Sequence, residues 1–126
     1  MFGFNPRASG VLEVTISGLL NLDEADRYIT ELRAHVETMR RKHGYSLVLV
    51  DGRENPVQPQ YVMAKMETLP SILITNDKDR AAYVVVSSLA KLQAQRLSTA
   101  DQLQVFLSAS AAQEWLLANH VMPVAS

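Results

Sequence analysis

The segment Ser46-Leu47-Val48-Leu49-Val50 runs straight into Asp51-Gly52-Arg53-Glu54-Asn55-Pro56. A Leu/Val run without polar alternation must be covered on both faces, as the central strands of parallel sheets are. It stops abruptly at a carboxylate, a glycine and a cluster of polar groups. In open α/β sheets, sites form outside the carboxyl ends of such strands. This one stretch therefore implies an α/β fold and directs attention to one edge of it. It does not specify a reaction.

The rest of the chain supplies the partners such a strand needs. Residues 10–18 alternate between two glycines, with Leu12, Val14 and Ile16 on one face and Glu13, Thr15 and Ser17 on the other; Val11 does not fit. Phe2 and Phe4 stand at strand spacing before an Asn5-Pro6 turn, so a preceding hairpin strand is expected. Asn21 and Glu24 have the spacing of a capping box. Leu22, Ala25, Ile29, Leu32, Val36 and Met39 then form a helical stripe that ends at Gly44. Its acidic first turn (Asp23, Glu24, Asp26) and basic last turn (Arg40, Arg41, Lys42, His43) match the helix dipole.

After strand 46–51 and a polar loop 52–58, Pro59 opens a second helix with Val62, Met63, Met66 and Leu69, ending at Pro70. Residues 71–75 suit an edge strand, a helical extension or a packed loop, and 76–79 form a turn. Ala81 to Val86 reads as another strand buried on both faces. Ser87 or Ser88 caps a third helix with Leu89, Leu92, Ala94 and Leu97. A strand at Leu103–Leu107 precedes a second capping-box pattern, Ser110 with Gln113, ahead of Ala111, Trp115 and Leu116. The expected architecture is a single α/β domain with a mixed four- or five-stranded sheet, parallel strands with right-handed crossovers, and about four helices. Its core covers about residues 10–118, with 119–126 as a tail.

The chain of 126 residues suits one domain and one self-sufficient core. A net charge of −1 gives no reason to expect nucleic acid or an anionic membrane as partner. The absence of cysteine excludes disulfides, thiolate metal sites and a cysteine nucleophile, and fits a cytoplasmic protein. The first residues carry no apolar core of signal-peptide length. The longest apolar runs, Leu47–Val50 and Ala81–Val86, fall far short of the ~18 residues of a membrane span. Only five glycines occur, in no nucleotide-binding pattern. His35, His43 and His120 are scattered, so neither a metal nor any other cofactor is expected.

The N-terminal strand ending in Ser17-Gly18, the long acidic-to-basic helix and Leu47-Val48-Leu49-Val50-Asp51 resemble the STAS fold, and more narrowly its SpoIIAA-like branch. Asp79-Arg80-Ala81-Ala82-Tyr83-Val84-Val85-Val86, then Val105-Phe106 and Ala111, Ala112, Trp115 and Leu116, extend the likeness over roughly residues 10–118. The resemblance implies a non-enzymatic regulatory or binding module of a bacterial cytoplasm. It also implies an architecture akin to CRAL-TRIO-type lipid-binding domains. In the anti-sigma-factor antagonists of this fold, a phosphorylatable Ser or Thr follows the central strand. Asp51 to Gln60 contains neither, so that switch cannot operate here.

Candidate chemistry gathers where three strand exits converge: Asp51, Gly52, Arg53, Glu54 and Asn55, then Ser87 and Ser88, then Ser108 and Ser110. Helix N-termini near Pro59, Leu89 and Ala111 would add donors for an anion. Equally, the serines are N-caps and Asp51 binds loop amides or Arg53. Asp51 and Glu54, three apart beside Arg53, suit a surface pair better than an acid/base pair. Met63 and Met66 on the second helix suit either core or a pocket, and Tyr61 and Tyr83 are equally open. Two functional expectations follow. A protein partner docks on the second helix and loop 52–58, with Arg53 and Tyr61 in contact; or a small apolar or anionic, lipid-like ligand lies between the second and third helices and the strand ends. Phe2 and Phe4, if exposed on an edge hairpin, would support a homodimer.

Overall fold

Five strands form one mixed sheet in the order in which the chain makes them. They are β1 (Phe2–Pro6), β2 (Leu12–Ser17), β3 (Leu47–Glu54), β4 (Arg80–Val84) and β5 (Leu103–Phe106). The computed structural model describes residues 1–96 and 101–121, and of Ser88 and residues 119–121 the backbone. β1 is antiparallel to β2, and β2 to β5 run parallel. The helices are α1 (Leu22–His43), α2 (Gln60–Met66), α3 (Leu69–Leu73), α4 (Ser88–Gln95) and α5 (Ala109–Val121). The chain is a single α/β domain, and the second of the expected helices is divided into two short ones. Among the described residues no helix is long and apolar enough to cross a membrane.

Because the strand order never reverses, crossovers of one hand must lay their helices on one face. The core divides accordingly. Leu12, Val14, Ile16, Val48, Val50, Ala81, Tyr83 and Leu103 pack against α1, α2 and α3. Val11, Leu47, Leu49, Ala82 and Val84 pack on the other face against Ala112 and Leu116 of α5. The Leu47–Val50 run is thus buried on both sides, as its composition requires. Val11, which broke the alternation of the N-terminal strand, lies just before β2 and belongs to the α5 side.

Helix α1 forms as its ends dictate. The Asn21 side chain accepts from Glu24 N at 2.8 Å and Glu24 reaches back to Asn21 N at 3.3 Å. Gly44 closes the helix at φ 84°, a left-handed conformation that glycine adopts without a Cβ clash. The buried face consists of Ala25, Tyr28, Leu32 and Val36, while Leu22 is exposed at the first turn.

Several boundaries differ from the expectation. β3 continues through Asp51, Gly52, Arg53 and Glu54, because Thr15 of β2 and Val84 of β4 both pair with Asp51. Asn5-Pro6 is strand, not turn: β1 is an edge, where a missing N–H costs no ladder bond, and the chain turns at residues 7–10. Phe2 and Phe4 are half-buried. Their rings lie 5.5 and 6.0 Å from that of Tyr28, and Phe4 stacks on His35 at 4.6 Å, so they are not an exposed dimer patch. Pro70 lies in the first turn of α3 instead of ending a helix, and residues 71–73 are helical. Val86 follows β4 and is exposed, as are Leu89 and Leu92 on α4. Ser108, not Ser110, caps α5, accepting from Ala111 N at 3.2 Å. The helix continues to Val121, past the expected start of the tail; residues 122–126 and Leu97 lie outside the described residues.

Candidate functional site

Four parallel strands deliver their exits to one edge of the sheet. Ligand crevices in open α/β sheets arise where strand order reverses. No reversal occurs here, so the edge has no such crevice. What it carries instead is apolar surface. Leu19 follows β2, Val57 follows β3, Val86 follows β4 and Leu107 follows β5, and all four are exposed. Antiparallel pairing returns exposed Met1 to the same edge, where its carbonyl accepts from Ser17 N at 2.8 Å. Leu22, Tyr61 and Leu89, at the starts of α1, α2 and α4, are exposed beside them. From β2 to β5 this rim spans about 14 Å, three strand spacings.

The residues expected to act together are divided by the sheet. Asp51 and Arg53 share the α5 side of β3, and the carboxylate takes two side-chain bonds from the guanidinium, at 2.9 and 2.8 Å, and Arg53 N at 3.1 Å. The Arg53 hydrogen bond outweighs partial burial and holds the Asp51 carboxyl below its ordinary range. Asp51 is therefore a paired, ionised strand residue, and with Thr15, Ser17, Arg53 and Glu54 it lines an open polar depression. Gly52, Asn55 and Met63 lie on the helix side, around a cavity. Tyr61 is 55% exposed and lines neither. Ser87 is an N-cap whose hydroxyl accepts from Ala90 N at 3.0 Å; of Ser88 only the backbone is described. The hydroxyls of Ser108 and Ser110 lie 3.0 Å apart.

Gln58 is the residue that assembles the edge. Its buried side chain accepts from Leu20 N at 2.9 Å and donates to Gly18 O at 3.0 Å and to the Asn55 side chain. Its backbone exchanges two hydrogen bonds with the Gln93 amide of α4, at 3.0 and 3.1 Å. The loops after β2 and β3 and the face of α4 are thereby tied through one position. Gly52 fits the same construction: a Cβ there would stand 3.2 Å from the Val84 carbonyl oxygen and 3.6 Å from Asn55 Cβ. A backbone oxygen held in a sheet cannot swing aside. Gly52→Ala is therefore expected to cost about 1–3 kcal/mol. A urea midpoint unchanged from that of the parent would contradict this packing.

Beneath the rim lies a cavity of about 80 Å³ between β2, β3, β4 and helices α1, α2 and α4. Its wall is mostly aliphatic and thioether, and no charged residue lines it. Gln58, Gln93 and Asn55 contribute amides that are already bonded to one another. Tyr28 and Tyr83 also line it, both buried, and neither hydroxyl has a hydrogen-bond partner among the described residues. Burial pushes both phenols well above their ordinary value, and for Tyr28 the neighbouring Tyr83 adds to it. Both are neutral hydroxyls, and neither oxygen is accessible from the cavity. Among the described residues, no three His, Asp or Glu side chains converge as metal ligands would.

Tyr28 takes the place on the buried face of α1 where the expected stripe had Ile29, which is half-buried, and Tyr83 lies within the strand expected to be buried on both faces. That the two meet across the sheet and helix has no local signal, and neither has Gln58 in its polar loop. Compared with protein-family models, with curated proteins and with solved structures, the chain gives no match in any of the three.

Proposed function

We propose that this chain is a non-enzymatic binding module that docks a protein partner on the carboxyl edge of its sheet. The observation that carries the reading is the concentration of exposed large apolar side chains at that edge. Leu92, one turn into α4, is the one exposed large hydrophobic among the described residues that lies off it. Scattered exposed apolar residues are ordinary, whereas a shared patch rimmed by polar groups marks an interaction surface. Tyr61 adds an aromatic anchor of the type that dominates interface energies. The resemblance of roughly residues 10–118 to SpoIIAA-like domains points the same way, since it implies a regulatory or binding module. The partner in this reading offers an apolar surface about 14 Å long to match the rim. Arg53 is not part of the contact, because its guanidinium is held by Asp51 on the α5 side.

The test is quantitative co-purification from the source cell with tagged protein, comparing the parent, Arg53→Ala, and a triple variant Val57→Ser, Val86→Ser, Leu89→Ser. Each of the three substituted side chains is 40% exposed or more, so the variant should fold normally. The expected result is a partner retained by Arg53→Ala and reduced more than about tenfold in the triple variant, the loss of one or two hot-spot contacts. Equal recovery by all three proteins would reject the edge as the docking surface. Sedimentation of the parent and the triple variant alone would reveal a second copy of the chain as the partner, by self-association in the first and its loss in the second.

A further inference from the structure

We infer that the cleft between the β1–β2 turn and the C-terminal half of α1 binds a small organic anion, an apolar body ending in a carboxylate or phosphate. The cleft lies at the amino end of the parallel strands, opposite the docking edge, and does not depend on that reading.

Helical spacing assembles one wall of it. His35, Thr38, Met39 and Lys42 recur at three and four residues and so share a face of α1. With Arg7 from the turn and His43 from the helix end they line an open cleft of about 520 Å³. Small-molecule clefts measure about 300–1,000 Å³, whereas the cavity beneath the rim has about 80 Å³. The groups that carry the argument are within an occupant's reach: Arg7, Lys42 and His43 are exposed, and His35 and Met39 are half-buried. Val11 and Leu12 are buried and only close the floor.

Charge selects the occupant. Every titratable side chain in the lining is basic. The nearby carboxylates lie outside it. Glu13 of β2 accepts from Arg7 Nη2 at 2.6 Å, Asp79 is buried against Arg40, and Glu31 stands one turn before His35. Lys42 has no ion pair or hydrogen bond among the described residues, and Arg41 stands at the margin, reaching Thr38 Oγ1 at 3.4 Å. A helix C-terminus carries about half a negative charge, which a single cation offsets. Arg41 and Lys42 together exceed that need, even with Arg40 taken by Asp79. The excess stands in a chain of net charge −1, and a cleft lined by one sign of charge concentrates the opposite ion. His35, fixed by its stacking on Phe4 at 4.6 Å, adds an imidazole, which donates at least one N–H in either charge state. Met39, Ala34 and Pro6 offer apolar surface, and a thioether favours an aromatic ring. Since the charges face water, such a ligand is expected to bind at about 1 mM or somewhat tighter.

The experiment is a titration of the 15N-labelled protein with phenyl phosphate and with benzoate, followed by amide chemical shifts, with benzyl alcohol as the neutral counterpart. The expected result is saturable shifts centred on Gly10, Thr38 and Lys42 for at least one anion, with benzyl alcohol at least about tenfold weaker. The tighter anion identifies the head group. Lys42→Gln and Arg7→Gln, one from each wall, should each weaken it about fivefold. Arg33→Gln removes the same charge from the opposite side of α1 and should leave the affinity unchanged. All three side chains are exposed, so each variant should fold like the parent. Non-saturating drift with both anions would overturn the proposal, as would benzyl alcohol binding equally well. Equal weakening by Arg33→Gln and Lys42→Gln would also overturn it, since the anion would then respond to overall charge and not to the cleft.

Discussion

Replacing Asp79 with alanine is expected to destabilise the protein by about 3–5 kcal/mol at neutral pH, because it removes one partner of a buried ion pair. The carboxylate is inaccessible and sits where three elements meet, at the amino end of the sheet away from the docking edge. It accepts from Ser46 N at 2.8 Å before β3, from Thr75 N and Oγ1 at 2.9 and 3.1 Å after α3, and from Arg40 Nε at 3.0 Å near the end of α1. Alanine would leave these donors facing a void, with the Arg40 charge unbalanced. Burial on its own pushes the Asp79 carboxyl up, but donation from Thr75 and Ser46 together with the Arg40 charge outweighs it and holds the group below its ordinary value. Its stabilising contribution is therefore complete above the unfolded value of about 3.9 and is lost as pH falls through the lower folded value. Urea unfolding of the parent and Asp79→Ala should show a wide gap at pH 7 that narrows below about pH 4. A gap under about 1 kcal/mol at pH 7, the worth of a surface pair, would refute the buried-pair account. A gap unchanged at low pH would refute its charge.

The Asp79 cluster also shows where sequence stops being informative. The run 76–79 is legible as a turn from its Asn, Asp and Lys residues, and the capping box of α1 is legible from Asn21 and Glu24 alone. Both are local: the groups that bond lie within a few residues of one another. Arg40 and Asp79 are 39 positions apart, and nothing in the basic end of α1 distinguishes Arg40 from Arg41 or Lys42. The same limit separates the strands' existence from their extent. The apolar run Leu47–Val50 announces itself, but Asp51 to Glu54 are held in β3 by pairing with β2 and β4 while their side chains look like a loop.

The candidate site was legible as a place and not as a composition. Parallel strands ending in polar clusters mark the carboxyl edge, and the structure assembles Gly52, Asn55 and Met63 there around one cavity. Asp51 and Arg53 alternate with Gly52 along β3 and so face the opposite side, a consequence of the two-residue period once the strand is known to continue. Val86 ends a run that reads as a strand buried on both faces, yet it lies past the end of β4 and is exposed, as are Leu89 on the rim and Leu92 off it.

Gln58→Ala is expected to cost about 3 kcal/mol and to loosen the edge selectively. The side chain serves Leu20 N, Gly18 O and Asn55, and removing it leaves the buried Leu20 amide without its acceptor. The two bonds to Gln93 run through the backbone of residue 58 and survive. The loop after β2 should therefore detach while α4 keeps its hold on the loop after β3. Amide exchange resolves the two: Leu20 should exchange about a hundredfold faster in the variant, whereas amides of β3 such as Val48 follow only the global loss. Gln58→Glu sharpens the test. Its carboxylate retains an acceptor for Leu20 N but has no donor for Gly18 O, and it buries a charge in an interior without a cation. It should be destabilised at neutral pH and recover as the carboxyl is protonated at low pH, whereas Gln58→Ala should not recover. Uniform acceleration of exchange across the sheet in Gln58→Ala, with no excess at Leu20, would mean that the glutamine contributes only to global stability. The clasp would then play no part in shaping the docking edge or the cavity below it.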